Sequence, residues 1–131
     1  MKIFISYKQT GIKKEELDIK LNLLNSKIKP FCSNSYCLWI NDKPNFYEKE
    51  VLINKIKNQI INCDVVLWLI DNKDKSEWQL LELWIAYSLW KKIILLVRND
   101  IKENYYLICW ITKNIYYFDK LKDLDFKKIL W

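Results

Sequence analysis

Histidine is absent from the 131 residues, and glycine occurs once, at Gly11. Without an imidazole no Ser-His-Asp or Cys-His arrangement exists, so any catalysis must run on carboxylates, hydroxyls or lysines. The four cysteines, Cys32, Cys37, Cys63 and Cys109, fall at spacings that match no zinc or redox motif. With no histidine to complete a mixed site, they read as reduced, structural thiols, and no metal or redox cofactor is implied. No apolar run approaches the length of a membrane span, and the opening MKIFISYK reads as a buried strand rather than a leader. The shortage of glycine is itself a signal. An average composition of about 7% predicts roughly nine glycines in a chain of this size, whereas the chain has one glycine and seven tryptophans, and 1 + 7 = 8 lies close to that average.

What is present is the balance of one globular domain spanning residues 1–131, with 51% hydrophobic and 29% charged residues. The expected location is the cytoplasm, with no membrane partner. Twenty-two Lys and Arg against 16 Asp and Glu give a net charge of +6. The lysines are scattered and interleaved with Asn and Glu, a pattern of compositional bias rather than of a nucleic-acid-binding surface. Anionic small molecules such as nucleotides suit the charge better.

Hydrophobic periodicity divides the chain into alternating strands and helices. Residues 2–7 read as a strand, and 13–28 as a helix with Leu17, Leu21, Leu24 and Ile28 on one side, closed by Pro30. A weaker strand is expected within FCSNSYCLWI, then a helix over 46–62 carrying Leu52, Ile53, Ile56 and Ile60. The unbroken run DVVLWLI at 64–70 has the character of a parallel strand covered on both faces. Ser76 and Gln79 read as a capping box opening the next helix. A strand at 92–97, a short helix at 105–109, a strand at 114–118 and a terminal helix over 119–130 complete the chain. This order predicts an α/β fold: a doubly wound, parallel five-stranded sheet in flavodoxin-like order. In such sheets ligands sit at the carboxyl ends of the strands, where 6–11, 71–75 and the start of the Ser76 helix converge.

The helix SEWQLLELWIAYSLWKK carries Trp78, Trp84 and Trp90 at a spacing of six. At about 100° per residue each ring is turned about 240° from the last, so no single buried face can take all three. Large rings are normally tucked against a core, and this spacing defeats that explanation.

The stretch SEWQLLELWIAYSLWKKIILLV resembles the nucleoside 2-deoxyribosyltransferase family, including its 2'-deoxynucleoside 5'-phosphate N-hydrolase members. The pattern of that family reads Ser/Asp-x-Gly-x-x-x-Glu-Leu-Gly, then a small residue, then Gly-Lys and a strand. Ser76, Glu82, Leu83, Ala86 and Lys91 match it, and CDVVLWLI is similar to the family's preceding strand. Trp78, Trp84 and Trp90 stand at its glycine or small-residue positions, and Trp68 where some members carry glycine. The same reading extends to Trp110. These tryptophans are therefore expected to occupy glycine positions.

The resemblance implies cleavage or transfer at the N-glycosidic bond of a 2'-deoxynucleoside or its 5'-monophosphate, by a homodimer, without a cofactor. Glu82 would be the nucleophile, forming a covalent glycosyl-enzyme as in retaining glycoside chemistry. Ser76, at a helix N-terminus, would favour a 5'-phosphate. Tyr7, Lys8 and Asp71 are the further candidate substrate contacts. Against each functional role stands a plainer one: Ser76 as a helix cap, Glu82 as a solvated helix residue, Tyr7 and Lys8 as a strand end, Asp64 as a strand-edge residue. A family aspartate two turns before Asp64 is here Ile56, so Asp71 or Asp74 would have to supply a proton. FISYK and S-x-W-x-x-x-E-L also resemble Toll/interleukin-receptor domains, whose enzymatic members cleave NAD. A catalytically silent nucleotide-binding domain is the third alternative.

Overall fold

Val65–Ile70 is buried at all six positions, which a strand achieves only when both its faces are covered and it has a neighbour on each side. That strand, β3, is the centre of the computed structural model, which describes residues 1–9, 11–37 and 49–130. Around it stand β1 (Lys2–Ser6), β2 (Asn34–Cys37), β4 (Lys92–Arg98) and β5 (Ile115–Phe118). The order is β2-β1-β3-β4-β5 with every pair parallel, as the flavodoxin-like reading requires. Among the described residues the α-helices are α1 (Lys14–Ile28), α2 (Lys49–Asn62), α3 (Glu77–Ser88) and α4 (Phe126–Leu130).

Alternation along β1 assigns each face. Ile3, Ile5 and Tyr7 pack with Leu17, Leu21, Leu24 and Ile28 of α1, and α4 closes the same layer. Phe4 turns the other way and packs with Ile56 and Ile60 of α2 and Leu83 and Ala86 of α3. Ser6, two residues beyond Phe4, shares that second face. The sheet thus separates an α1/α4 layer from an α2/α3 layer, and the reversal of strand order between β1 and β3 leaves a crevice at their carboxyl ends.

Two expectations need correction. The short helix expected at 105–109 is replaced by two 3-10 segments, Asn99–Tyr105 and Ile108–Trp110. Tyr105 is buried there with its hydroxyl donating to the carbonyls of Asn72 and Asp74, which ties this connection to the β3–α3 loop. The terminal helix begins only at Phe126, because Leu124 is extended and Asp125 Oδ1 accepts the amides of Lys127 and Lys128 as a cap. Within FCSNSYCLWI the strand covers Asn34–Cys37. Residues 38–40, the expected start of α2 at 46–48, and Trp39 and Trp131 lie outside the described residues. No helix among the described residues is long and apolar enough to cross a membrane.

Candidate active site

Helix α3 starts where the sequence places it. Ser76 is extended, and its Oγ accepts the amide of Gln79 at 3.4 Å. Only half of the expected capping box forms, however. The Gln79 side chain does not return to Ser76; its Nε2 donates to the carbonyls of Leu69 at 2.9 Å and Ser6 at 3.3 Å. Those two carbonyls lie at the carboxyl ends of β3 and β1, at the strand-order switch. Gln79 therefore fastens the first turn of α3 to both central strands.

One turn further on, the same face of α3 brings Glu82 against the sheet. Its carboxyl group is buried, at 5% exposure, and Ser6 Oγ donates to Glu82 Oε1 at 3.1 Å. Burial pushes the Glu82 pKa up to about 8, against a smaller opposing effect of the Ser6 hydroxyl. A carboxylate removed from water without a cation to neutralise it keeps its proton at neutral pH. The plain reading of Glu82 as a solvated helix residue is excluded by this geometry. Ser6 was the residue hidden from sequence reasoning. Its one signal is a polar side chain in phase with Phe4 on an otherwise apolar strand.

The other candidates lie across the sheet. Tyr7 packs in the α1 layer, and its hydroxyl donates to Asp71 Oδ2 at 3.4 Å. Lys20 of α1 bridges Asp71 and Glu16 at 3.1 and 2.8 Å. Burial opposes the Lys20 charge, but the two carboxylates outweigh it and raise its pKa. Burial, then the charge of Asp71, pushes the Tyr7 hydroxyl far above its ordinary value. These groups line a cleft of about 380 Å³, with Arg98, Asn72 and Asp100 on its far wall. Asp71 thus joins Tyr7, while Glu82 joins Ser6, and the two pairs face opposite layers; Ser76 bonds the Gln79 amide rather than Glu82. Lys8 is half-buried at the end of β1 and takes no part in the cleft wall. Asp64 accepts the amide of Lys2 at 2.7 Å, the strand-edge role read from sequence. Ile56, where the resemblance would place an aspartate, is buried in the α2 layer. Lys91 donates to the carbonyls of Ile61 and Cys63, closing the end of α2.

The chain shares its fold with N-glycosidase and deoxyribosyltransferase structures. The CMP N-glycosidase BcmB of Clostridium botulinum superposes with a TM-score of 0.62 at 22% identity, over 90% of this chain and 87% of that one. The 2-deoxyribosyltransferase of Bacillus psychrosaccharolyticus gives 0.68 at 19% identity, over 98% and 96%. A 2-desoxiribosyltransferase from Leishmania mexicana gives 0.56 at 16% identity, over 73% of this chain and 63% of that one. No protein-family model and no curated protein sequence matches the chain. The match to the Bacillus structure covers 98% of this chain, well beyond the motif at 76–91.

Proposed function

We propose that the chain is an enzyme that cleaves or exchanges the N-glycosidic bond of a 2'-deoxynucleoside or its 5'-monophosphate, with Glu82 as the nucleophile. The observation that carries this reading is a buried carboxyl group held by Ser6 at the switch point of this sheet. The fold it shares with a CMP N-glycosidase and two deoxyribosyltransferases supports it. In the proposed reaction a Glu82 oxygen attacks the anomeric carbon, and the base departs with the bonding electron pair and takes up a proton. Water or a second base then displaces Glu82 from that carbon. Glu82 must lose its own proton before it attacks, and the Ser6 hydroxyl is placed to donate to the carboxylate that results.

Ser76 and the amides of the first turn of α3 are the proposed contacts for a 5'-phosphate, since that end of a helix favours an anion. Tyr7, Lys8 and Asp71, at the strand ends beyond β1 and β3, are the proposed contacts for the remainder of the substrate. The working unit is proposed to be a homodimer.

The test is incubation with deoxynucleosides, their monophosphates and NAD, followed by chromatography of the released bases. Release from the deoxy substrates that Glu82→Ala abolishes, with the circular dichroism spectrum intact, is the expected result. A Ser76→Ala variant should lose more with the monophosphate than with the nucleoside; equal losses assign Ser76 to capping alone. Consumption of NAD with the deoxy substrates untouched would replace this reading by the Toll/interleukin-receptor one.

A further inference from the structure

Five of the seven tryptophans are among the described residues, and four of them, Trp68, Trp84, Trp90 and Trp110, are poorly accommodated. Trp90 is 94% exposed, Trp110 75% and Trp84 65%, although indole is a side chain that folding normally buries. Trp68 is buried at 1% exposure, yet its indole Nε1 has no hydrogen-bond partner, whereas a buried indole N–H usually finds one.

Trp90 is the clearest case. Only two described residues have positive φ: Gly11 at +78° and Trp90 at +56°. Leu89 is the C-cap of α3, the Trp90 amide donates to the carbonyl of Tyr87, and the Lys91 amide donates to the carbonyl of Ala86. This pair of bonds is the Schellman motif, and the residue that turns left-handed within it is ordinarily glycine, because a Cβ there clashes with the backbone. The local backbone specifies glycine and the chain supplies its largest side chain.

Trp68 and Trp78 press on the candidate site itself. Trp68 pairs with Ser6 across the β1–β3 ladder, and paired residues of neighbouring strands face the same side. Its ring therefore lies on the face where Ser6 donates to Glu82. Trp78 is four residues before Glu82, which makes the two neighbours on one helix face. It is half-buried against the same layer. Both indoles thus lie on the face of the sheet that carries Glu82.

We infer that Trp68, Trp78, Trp84 and Trp90 are glycine in the protein as its own cell makes it, and that the space vacated by the indoles of Trp68 and Trp78 is a sugar-sized pocket opening on Glu82. One cause accounts for the rings and for the missing glycines together: a gene whose UGA codons are decoded as glycine, read as though UGA meant tryptophan. The identity of Trp90 stands on backbone geometry, and that of Trp68, Trp78 and Trp84 on the glycine shortage with the exposed ring of Trp84 and the unpartnered indole of Trp68. The pocket's use for a deoxyribose rests on the proposed N-glycosidic chemistry.

Mass spectrometry of the tryptic peptide 76–91 from the native cell decides the identity, because it spans positions 78, 84 and 90. Glycine at the three positions, with UGA codons in the gene, is the expected result; tryptophan in the peptide, or UGG codons, overturns the inference. The purified protein gives an independent reading. Trp90→Gly should raise the melting midpoint by about 3–6 °C, as relief of left-handed strain in a chain of this size implies. Trp68→Gly and Trp78→Gly, combined with Trp84→Gly and Trp90→Gly, should hold or raise soluble yield and bring base release above that of the chain as written. If Trp68 belongs to the native core, emptying its site should lower the midpoint by about 10 °C or more, and the inference fails. A glycine variant that is more stable but releases no base would keep the residue assignment and sink the glycosidic reading of the pocket.

Discussion

Glu82 titrates in a range that ordinary carboxylates never reach, and the consequences can be worked out for the single residue. Its folded pKa of about 8 lies above the ordinary value of 4.5 that it regains on unfolding. Between those values the folded protein keeps a proton that the unfolded chain has released, so stability is greatest below about pH 4.5 as far as this group is concerned. It then declines as pH rises and is fully lost above about 8. The whole effect is of order 3–5 kcal/mol for a shift of this size. Urea midpoints should accordingly fall between about pH 5 and pH 9 in the parent, and Glu82→Gln, which cannot ionise, should flatten that decline; an unchanged slope would place the titration elsewhere. The same pKa sets the catalytic profile. A nucleophilic carboxylate must be ionised, so base release should climb as pH approaches 8.

At the scale of the element, α3 is fixed by its first turn more than by its apolar stripe. Leu83 and Ala86 are buried, but Leu81, Trp84 and Tyr87 are exposed, and the ring of Trp84 meets that of Tyr87 edge-on. What sets the helix's height above the sheet is Gln79, whose side-chain amide spans the Ser6 and Leu69 carbonyls. Replacing it by alanine keeps helix propensity and leaves both buried acceptors without this donor, a cost of about 1–3 kcal/mol. Gln79→Ala should therefore lower stability by that amount in urea denaturation. It should also weaken base release, because Ser6 and Glu82 lose their common anchor. A loss below about 0.5 kcal/mol would show that the two carbonyls are satisfied by water.

For the whole molecule, the sheet divides the chemistry between two layers. Tyr7, Lys20 and Asp71 form one polar group on the α1 side; Ser6, Gln79 and Glu82 form another beneath α3. They meet at the carboxyl ends of β1, where Ser6 and Tyr7 are consecutive, and of β3, where Leu69 precedes Asp71 by two residues. A substrate that touches both must straddle those strand ends. The apolar side chains left exposed along α3 are available to a second copy of the chain. The proposed homodimer should give a sedimentation mass near twice 16.1 kDa; a mass near 16.1 kDa at micromolar concentration would rule it out.

The apolar run at 64–70, the i, i+4, i+7, i+11 leucines and isoleucine of α1, and the Ser76 cap are local patterns, and each forms the element it specifies. Periodicity carries that much because burial of one face is enough to choose between strand and helix. Glycine shortage and the sixfold tryptophan spacing were also legible. The structure added the left-handed backbone that makes position 90 a glycine position. The limits of the last helix were set by capping at Asp125 and by an extended Leu124 rather than by hydrophobic pattern. Which polar groups meet was beyond any local pattern. Ser6 and Glu82 are 76 residues apart in sequence, and Gln79 reads as a capping residue until the strand ends are seen beneath it. Ser6 and Tyr7 have the same standing in sequence, at the end of the first strand. Only the alternation of β1 across a closed sheet sends Ser6 to Glu82 in one layer and Tyr7 to Asp71 in the other, because successive side chains of a strand must point to opposite faces.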